Sequence, residues 1–176
     1  MRYLELHSKV LDIKKVKIKD LIEVEIEYDE IVKHNQKAFT INRTFHLFKE
    51  PHRELTDWFV KLKLHLAYLC EMIPVGKYNA EYDNWMVDET ISKLEVTGFS
   101  IGGHDEYLGV TLIGKRRLNN NRVLNLVAPF TRYEDENAQY IYGFELEQLI
   151  NSACQEVESY MEGKFAPEKQ TELELK

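Results

Sequence analysis

Hydrophobic and polar positions alternate most strictly in Ile22-Glu-Val-Glu-Ile-Glu-Tyr28, and a period of two predicts a strand with one buried face. Tyr3-Leu-Glu-Leu-His7 alternates in the same way. Lys15 to Lys19 places Val16 and Ile18 on one side and three lysines on the other. A turn at Lys33-His-Asn-Gln36 leads to a further strand through Phe39-Thr-Ile41 and on to Phe48. The period then changes. Leu55, Trp58, Phe59, Leu62, Leu66, Leu69, Cys70 and Ile73 recur at helical spacing, with Pro51 at the start, Glu54 and Asp57 in the first turn, and Pro74 at the end.

The remainder repeats this order. Asn84 to Val87 reads as a strand, followed by strands through Lys93–Phe99, Tyr107–Lys115 and Arg122–Ala128. Gly102-Gly-His-Asp-Glu106 and Asn119-Asn-Asn121 supply turn chemistry between them. A closing helix over 144–162 carries Leu146, Leu149, Ile150, Ala153, Val157, Tyr160 and Met161 on one face, with Gly163 as the residue beyond its C-cap. Ile13–Leu21 lies over Ile91–Phe99 and Asn35–Phe45 over Asn120–Phe130. The stripe from Leu55 to Cys70 lies over that from Leu146 to Met161. Three ordered matches predict an internal duplication, an α+β chain of the form ββββα–ββββα. The halves are 1–75 and 76–166, sharing one core, and 167–176 form an acidic tail.

A length of 176 residues suits one core or two fused halves, and 44% apolar with 30% charged residues is ordinary for a soluble globular chain. No apolar run is long enough to span a bilayer, and Met1-Arg-Tyr-Leu-Glu-Leu lacks the pattern of a signal peptide, so a cytoplasmic protein is expected. Cys70 and Cys154 fall on the two helical stripes and read as buried free thiols. The net charge of −7 is unevenly placed: residues 133–176 hold 11 of the 30 acids but only 3 of the 23 bases. The sheet portion is therefore close to neutral and can carry a basic face.

Catalytic signals are weak. The six histidines have no metal-ligand spacing, and neither a phosphate-cradling glycine loop, a Gly-x-Ser-x-Gly elbow nor a CxxC is present. His65 falls on the polar side of the first helix, His104-Asp105-Glu106 reads as a hairpin turn, and Glu23, Glu25 and Glu27 as a solvated strand face. Neither an enzyme nor a cofactor is expected.

Binding signals concentrate in Lys115-Arg116-Arg117 and Arg122, which surround an asparagine-rich turn. Alternation assigns Lys15, Lys17, Lys19, Thr40, Asn42, Lys93, Thr97, Tyr107, Thr111, Lys115 and Asn125 to the sheet face without helices. Glu23, Glu25, Glu27 and Glu95 fall on the same face and oppose a polyanion there. The predicted nucleic-acid-binding residues are Lys15, Lys17, Lys93, Tyr107, Thr111, Lys115, Arg116, Arg117 and Arg122. The cations would meet phosphates, and Tyr107, with Tyr133, would stack on bases.

Two tandem units of four strands and a helix resemble in topology the Whirly-type and Pur-type single-stranded nucleic-acid-binding proteins, without the Whirly lysine-rich string. Leu112-Ile-Gly-Lys115, Ala128-Pro-Phe130, Glu156-Val-Glu-Ser-Tyr160, Gly163-Lys164 and Gln170 are similar to a family of bacteriophage proteins encoded among replication and recombination genes. Gln170-Thr-Glu-Leu173-Glu-Leu175 is similar to the peptide that docks partners on the bacterial sliding clamp. These likenesses imply a non-catalytic binder of single-stranded DNA or RNA in a bacterial host cell. They also imply a partner at Gln170, Leu173 and Leu175, and a homo-oligomer. The rival expectations are a protein-binding inhibitor of a host enzyme or defence system, which the acidic balance suits, and a small-ligand scaffold using the cleft between the repeats.

Overall fold

Period-two alternation builds a six-strand antiparallel path in a computed structural model that describes residues 10–137 and 140–168. β1 (Val10–Lys19) turns through Asp20 and Leu21, both at positive φ, into β2 (Glu23–His34). A second two-residue turn, Asn35–Gln36 with φ of 48° and 64°, leads into β3 (Lys37–Leu47). Such left-handed pairs match the twist of the flanking strands. β4 (Leu94–Gly102), β5 (Gly109–Arg117) and β6 (Val123–Val127) follow the first helices. The order is β3-β2-β1-β4-β5-β6, with the two-residue β7 (Thr131–Arg132) beside β5. The molecule is α+β.

α1 (Arg53–Lys61) begins where the His52 ring accepts a hydrogen bond from the Glu54 N–H. An irregular turn at Leu62 passes it into α2 (Lys63–Leu69). α4 (Gly143–Met161) ends in the expected glycine cap: Gly163 sits at φ 108° and the Lys164 N–H donates to the Ser159 carbonyl. Leu55, Phe59, Leu62 and Leu66 share one core cluster with Ile150, Val157, Val16, Ile26, Phe99 and Leu112. The helices therefore cover one face of the sheet, and among the described residues no helix lies on the other.

Several expectations are corrected. Asn84–Val87 is no strand: Trp85–Val87 is a single 3-10 turn, followed by α3 (Glu89–Ser92), whose N–H groups at Thr90 and Ile91 the Asp88 carboxylate caps. Trp85 turns inward because its indole is wanted in a second core with Leu64, Ala67, Tyr68, Ile73, Ile91 and Leu94. Three described strands, not four, precede α1; the predicted strand Tyr3–His7 lies outside the described residues. The first helical run stops at Leu69, before Pro74, as Glu71 enters the left-handed region. His65 is not on the surface but 2% exposed. α2 is wrapped on both sides, by the sheet and by the 70–93 connection, so Leu64 to Tyr68 are all buried. Cys70 and Cys154 are free and half-buried, and burial pushes the Cys154 thiol up to about 12, so it stays protonated at neutral pH.

Candidate nucleic-acid interface

Register decides what the open face presents. Lys15, Lys17 and Lys19 of β1 stand directly opposite Glu27, Glu25 and Glu23 of β2. Lys15 Nζ lies 3.7 Å from Glu27, and His46 on β3 reaches Glu23 at 2.7 Å. The predicted cations Lys15 and Lys17 are thus set against carboxylates one for one, and this half of the face offers a polyanion no excess of positive charge. Thr111 lies in mid-sheet, opposite Ser100, which in turn faces Lys15.

The balance differs where the centre of the sheet opens. β1 and β4 pair only from Lys15↔Ser100 to Lys17↔Gly98, although β1 runs on to Lys19 and β4 starts at Leu94. A β-bulge between Val96 and Gly98 accompanies the divergence. The gap is a cavity of about 340 Å³. Its apolar lining includes Ile18, Leu21, Phe59, Val60 and Leu94, and its polar lining Lys63, Lys93, Lys115, Arg117, Thr56, Ser92 and the carboxylate Glu95. Lys63 is brought in by the first turn of α2. The Arg117 N–H donates to the Lys93 carbonyl at 2.9 Å, which holds those two residues side by side. Lys93 Nζ is 3.0 Å from Glu89 and Lys115 Nζ is 3.3 Å from Glu95. Among the described residues Lys63 and Arg117 have no ion-pair partner, so four cations meet two carboxylates around an apolar floor.

Of the predicted residues the structure therefore brings together Lys93, Lys115 and Arg117. Arg122 stands exposed at the adjoining turn, where Asn120 and Asn121 adopt positive φ. Arg116 does not join them. Strand alternation sends it to the helix-covered side, opposite Leu94, with its Nε buried and without a hydrogen-bond partner. Tyr107 is also separate. It belongs to a 3-10 turn at the other end of β5, roughly 26 Å away at about 3.3 Å per residue, and Arg132 covers its ring at 4.5 Å. Tyr133 is 8% exposed and cannot offer a face to a base. Gln170, Leu173 and Leu175 lie outside the described residues. Lys63, Thr56 and Ser92 escaped the sequence reading because helical spacing marks core positions and says little of where the polar ones land; only the flanking Lys61-Leu-Lys63 pair hints at a basic helix end.

Among the described residues no helix is long and apolar enough to cross a membrane. No protein-family profile, curated protein or solved structure matches the chain.

Proposed function

We propose that this chain is a non-catalytic binder of single-stranded nucleic acid, and that the cleft between β1 and β4 seats one nucleotide of the strand. The observation that carries the reading is the pairing of surplus cations, Lys63 and Arg117, with an apolar floor in one cavity. Phosphate would meet Lys63, Lys93, Lys115 and Arg117, while the sugar or base lies against the accessible apolar side chains of the lining, Leu21 and Val60. Arg122 extends the basic track along the turn. We further infer that the halves are copies of one unit, Whirly-like in plan, since the strand order is symmetrical about the β1–β4 pair. The bacteriophage setting, the bacterial cytoplasm, a clamp-binding tail and self-assembly belong to the same reading.

Fluorescence anisotropy of a labelled single-stranded oligonucleotide at several salt concentrations tests it. Lys63→Ala with Arg117→Ala should weaken binding and lower the slope of log K against log salt by about 0.7 for each phosphate no longer neutralised. Lys15→Ala with Lys17→Ala should change both far less. Absence of binding by the wild-type chain at low salt overturns the proposal. A second reading has its own support: the cavity lies between the two halves, as a pocket for a free nucleotide would. Competition by a mononucleotide at equal phosphate concentration distinguishes the two. A protein partner is favoured instead by the edge strand β6, where Val123, Leu124 and Val127 are exposed.

A further inference from the structure

A second cavity, of about 390 Å³, lies between α2, the 76–81 loop and the start of α4. Aromatic side chains shape it. Tyr68 and Tyr142 stack with ring centroids 5.6 Å apart and an interplanar angle of 17°. The Tyr68 hydroxyl is tied to the backbone of Tyr78, donating to its carbonyl and accepting from its N–H, each at 3.0 Å. His65 stands edge-on to both Tyr140 and Tyr142. Its Nδ1 is 2.6 Å from the Tyr140 hydroxyl, and no protein group among the described residues takes its Nε2. The rings are fixed in place by these contacts; His65 and Tyr68 are buried, and Tyr78 and Tyr142 are partly exposed.

Charge decides what such a surface receives. Two carboxylates, Glu81 and Glu145, line the cavity, and among the described residues no lysine or arginine does. Burial keeps His65 neutral, with its imidazole lowered to about 4. The first turn of α4 contributes positive potential, but a helix end carries only about half a charge and is set against two full carboxylates. A phosphate would find no counterion here. At the rim the protein already satisfies the complementary chemistry with its own side chain: Lys77 Nζ lies 5.2 Å from the centre of the Tyr78 ring and 3.0 Å from Asp88. The Tyr78 hydroxyl and Lys77 hold the Asp88 carboxyl well below the usual carboxylate range, so that ammonium is neutralised and does not repel a second one.

The geometry points to a binding site for a small alkylammonium ion, held between the partly exposed rings of Tyr78 and Tyr142 and the carboxylates of Glu81 and Glu145. Ring quadrupoles attract a cation most strongly where water is displaced, and carboxylates at the mouth raise its local concentration. The site is independent of the basic cleft, which selects the opposite charge.

The probe is tetramethylammonium chloride, titrated into the full chain while the His65 and tyrosine ring protons are followed by NMR. Sodium chloride at equal ionic strength and tert-butanol, a neutral molecule of similar shape, serve as controls. A saturable shift with tetramethylammonium alone is the expected result. Tyr142→Leu should weaken it by about tenfold. Glu145→Gln, at an exposed position that leaves the core intact, should weaken it severalfold. Repeating the titration with putrescine and with a lysine-containing peptide separates a free amine from a side-chain ammonium. An equal response to tert-butanol, no saturable shift, or an unchanged affinity in Glu145→Gln overturns the assignment.

Discussion

Lys115 and Glu95 face each other across the β4–β5 ladder, with Nζ 3.3 Å from the carboxylate, at the mouth of the basic cleft. The glutamate holds a cation that a phosphate would otherwise engage. Glu95→Gln should therefore tighten binding of a single-stranded oligonucleotide by roughly two- to fivefold at low salt, the range expected for an exposed ion pair. The salt dependence should steepen as Lys115 is released to the phosphate. Anisotropy titrations of the two proteins side by side give the answer; an unchanged or weaker affinity would mean that Lys115 takes no part.

His65 predicts a pH dependence of stability. Its imidazole is lowered from 6.5 to about 4 by burial. The unfolded chain takes up a proton near the ordinary value, the folded chain only near the lowered one. Between the two the unfolded state binds more protons, so stability is fully present above about 6.5 and falls as the pH drops towards 4. The gradient from this residue is at most about 1.4 kcal/mol per pH unit. An NMR titration should show the His65 ring still neutral at a pH where a free imidazole is half protonated. Titration of His65 in the ordinary range would remove the effect.

Much of the fold is legible along the chain because strands and helices each impose a period. The alternation in Ile22–Tyr28, the stripe from Leu146 to Tyr160, the Asn35–Gln36 turn and the Gly163 cap all follow from local chemistry. What is not legible depends on partners distant in sequence. Alternation places Lys17 on a face but does not say that Glu25 stands beside it; the register does, and it cancels the charge. In the same way the polar side of α2 becomes interior only because the 70–93 connection folds over it, which burial of Trp85 and Ile91 brings about. The basic cleft is half legible: Lys115 and Arg117 stand out in the sequence, whereas the divergence of β1 from β4 that makes a cavity there does not.

Leu62, at the junction of α1 and α2, and Val157 on α4 are both fully buried in the shared core. Leu62→Ala and Val157→Ala should each destabilise the fold by roughly 2–4 kcal/mol, through the transfer energy of the removed methyl groups and the space left behind. Chemical denaturation monitored by far-UV circular dichroism measures this. A loss below about 0.5 kcal/mol at either position would mean that its helix face is not where the core is.

Gly114 joins the core to the cleft. A Cβ on this β5 residue would lie 2.6 Å from Leu66 Cδ2 on α2 and 2.5 Å from the Glu95 carbonyl on β4. The leucine tip can swing aside, but the strand carbonyl cannot without disturbing the ladder that sets Glu95 against Lys115. Gly114→Ala should accordingly cost roughly 1–3 kcal/mol of stability, as overpacking does. Adding Leu66→Ala should not restore it, because the clash with the carbonyl remains and a buried leucine is removed as well. Since the strained strand also carries Lys115, oligonucleotide affinity should fall in Gly114→Ala under conditions where the protein is still folded. Denaturation curves and anisotropy on the single and double variants test both parts, and a stable Gly114→Ala protein with unchanged affinity would show that β4 and β5 have room that these distances deny.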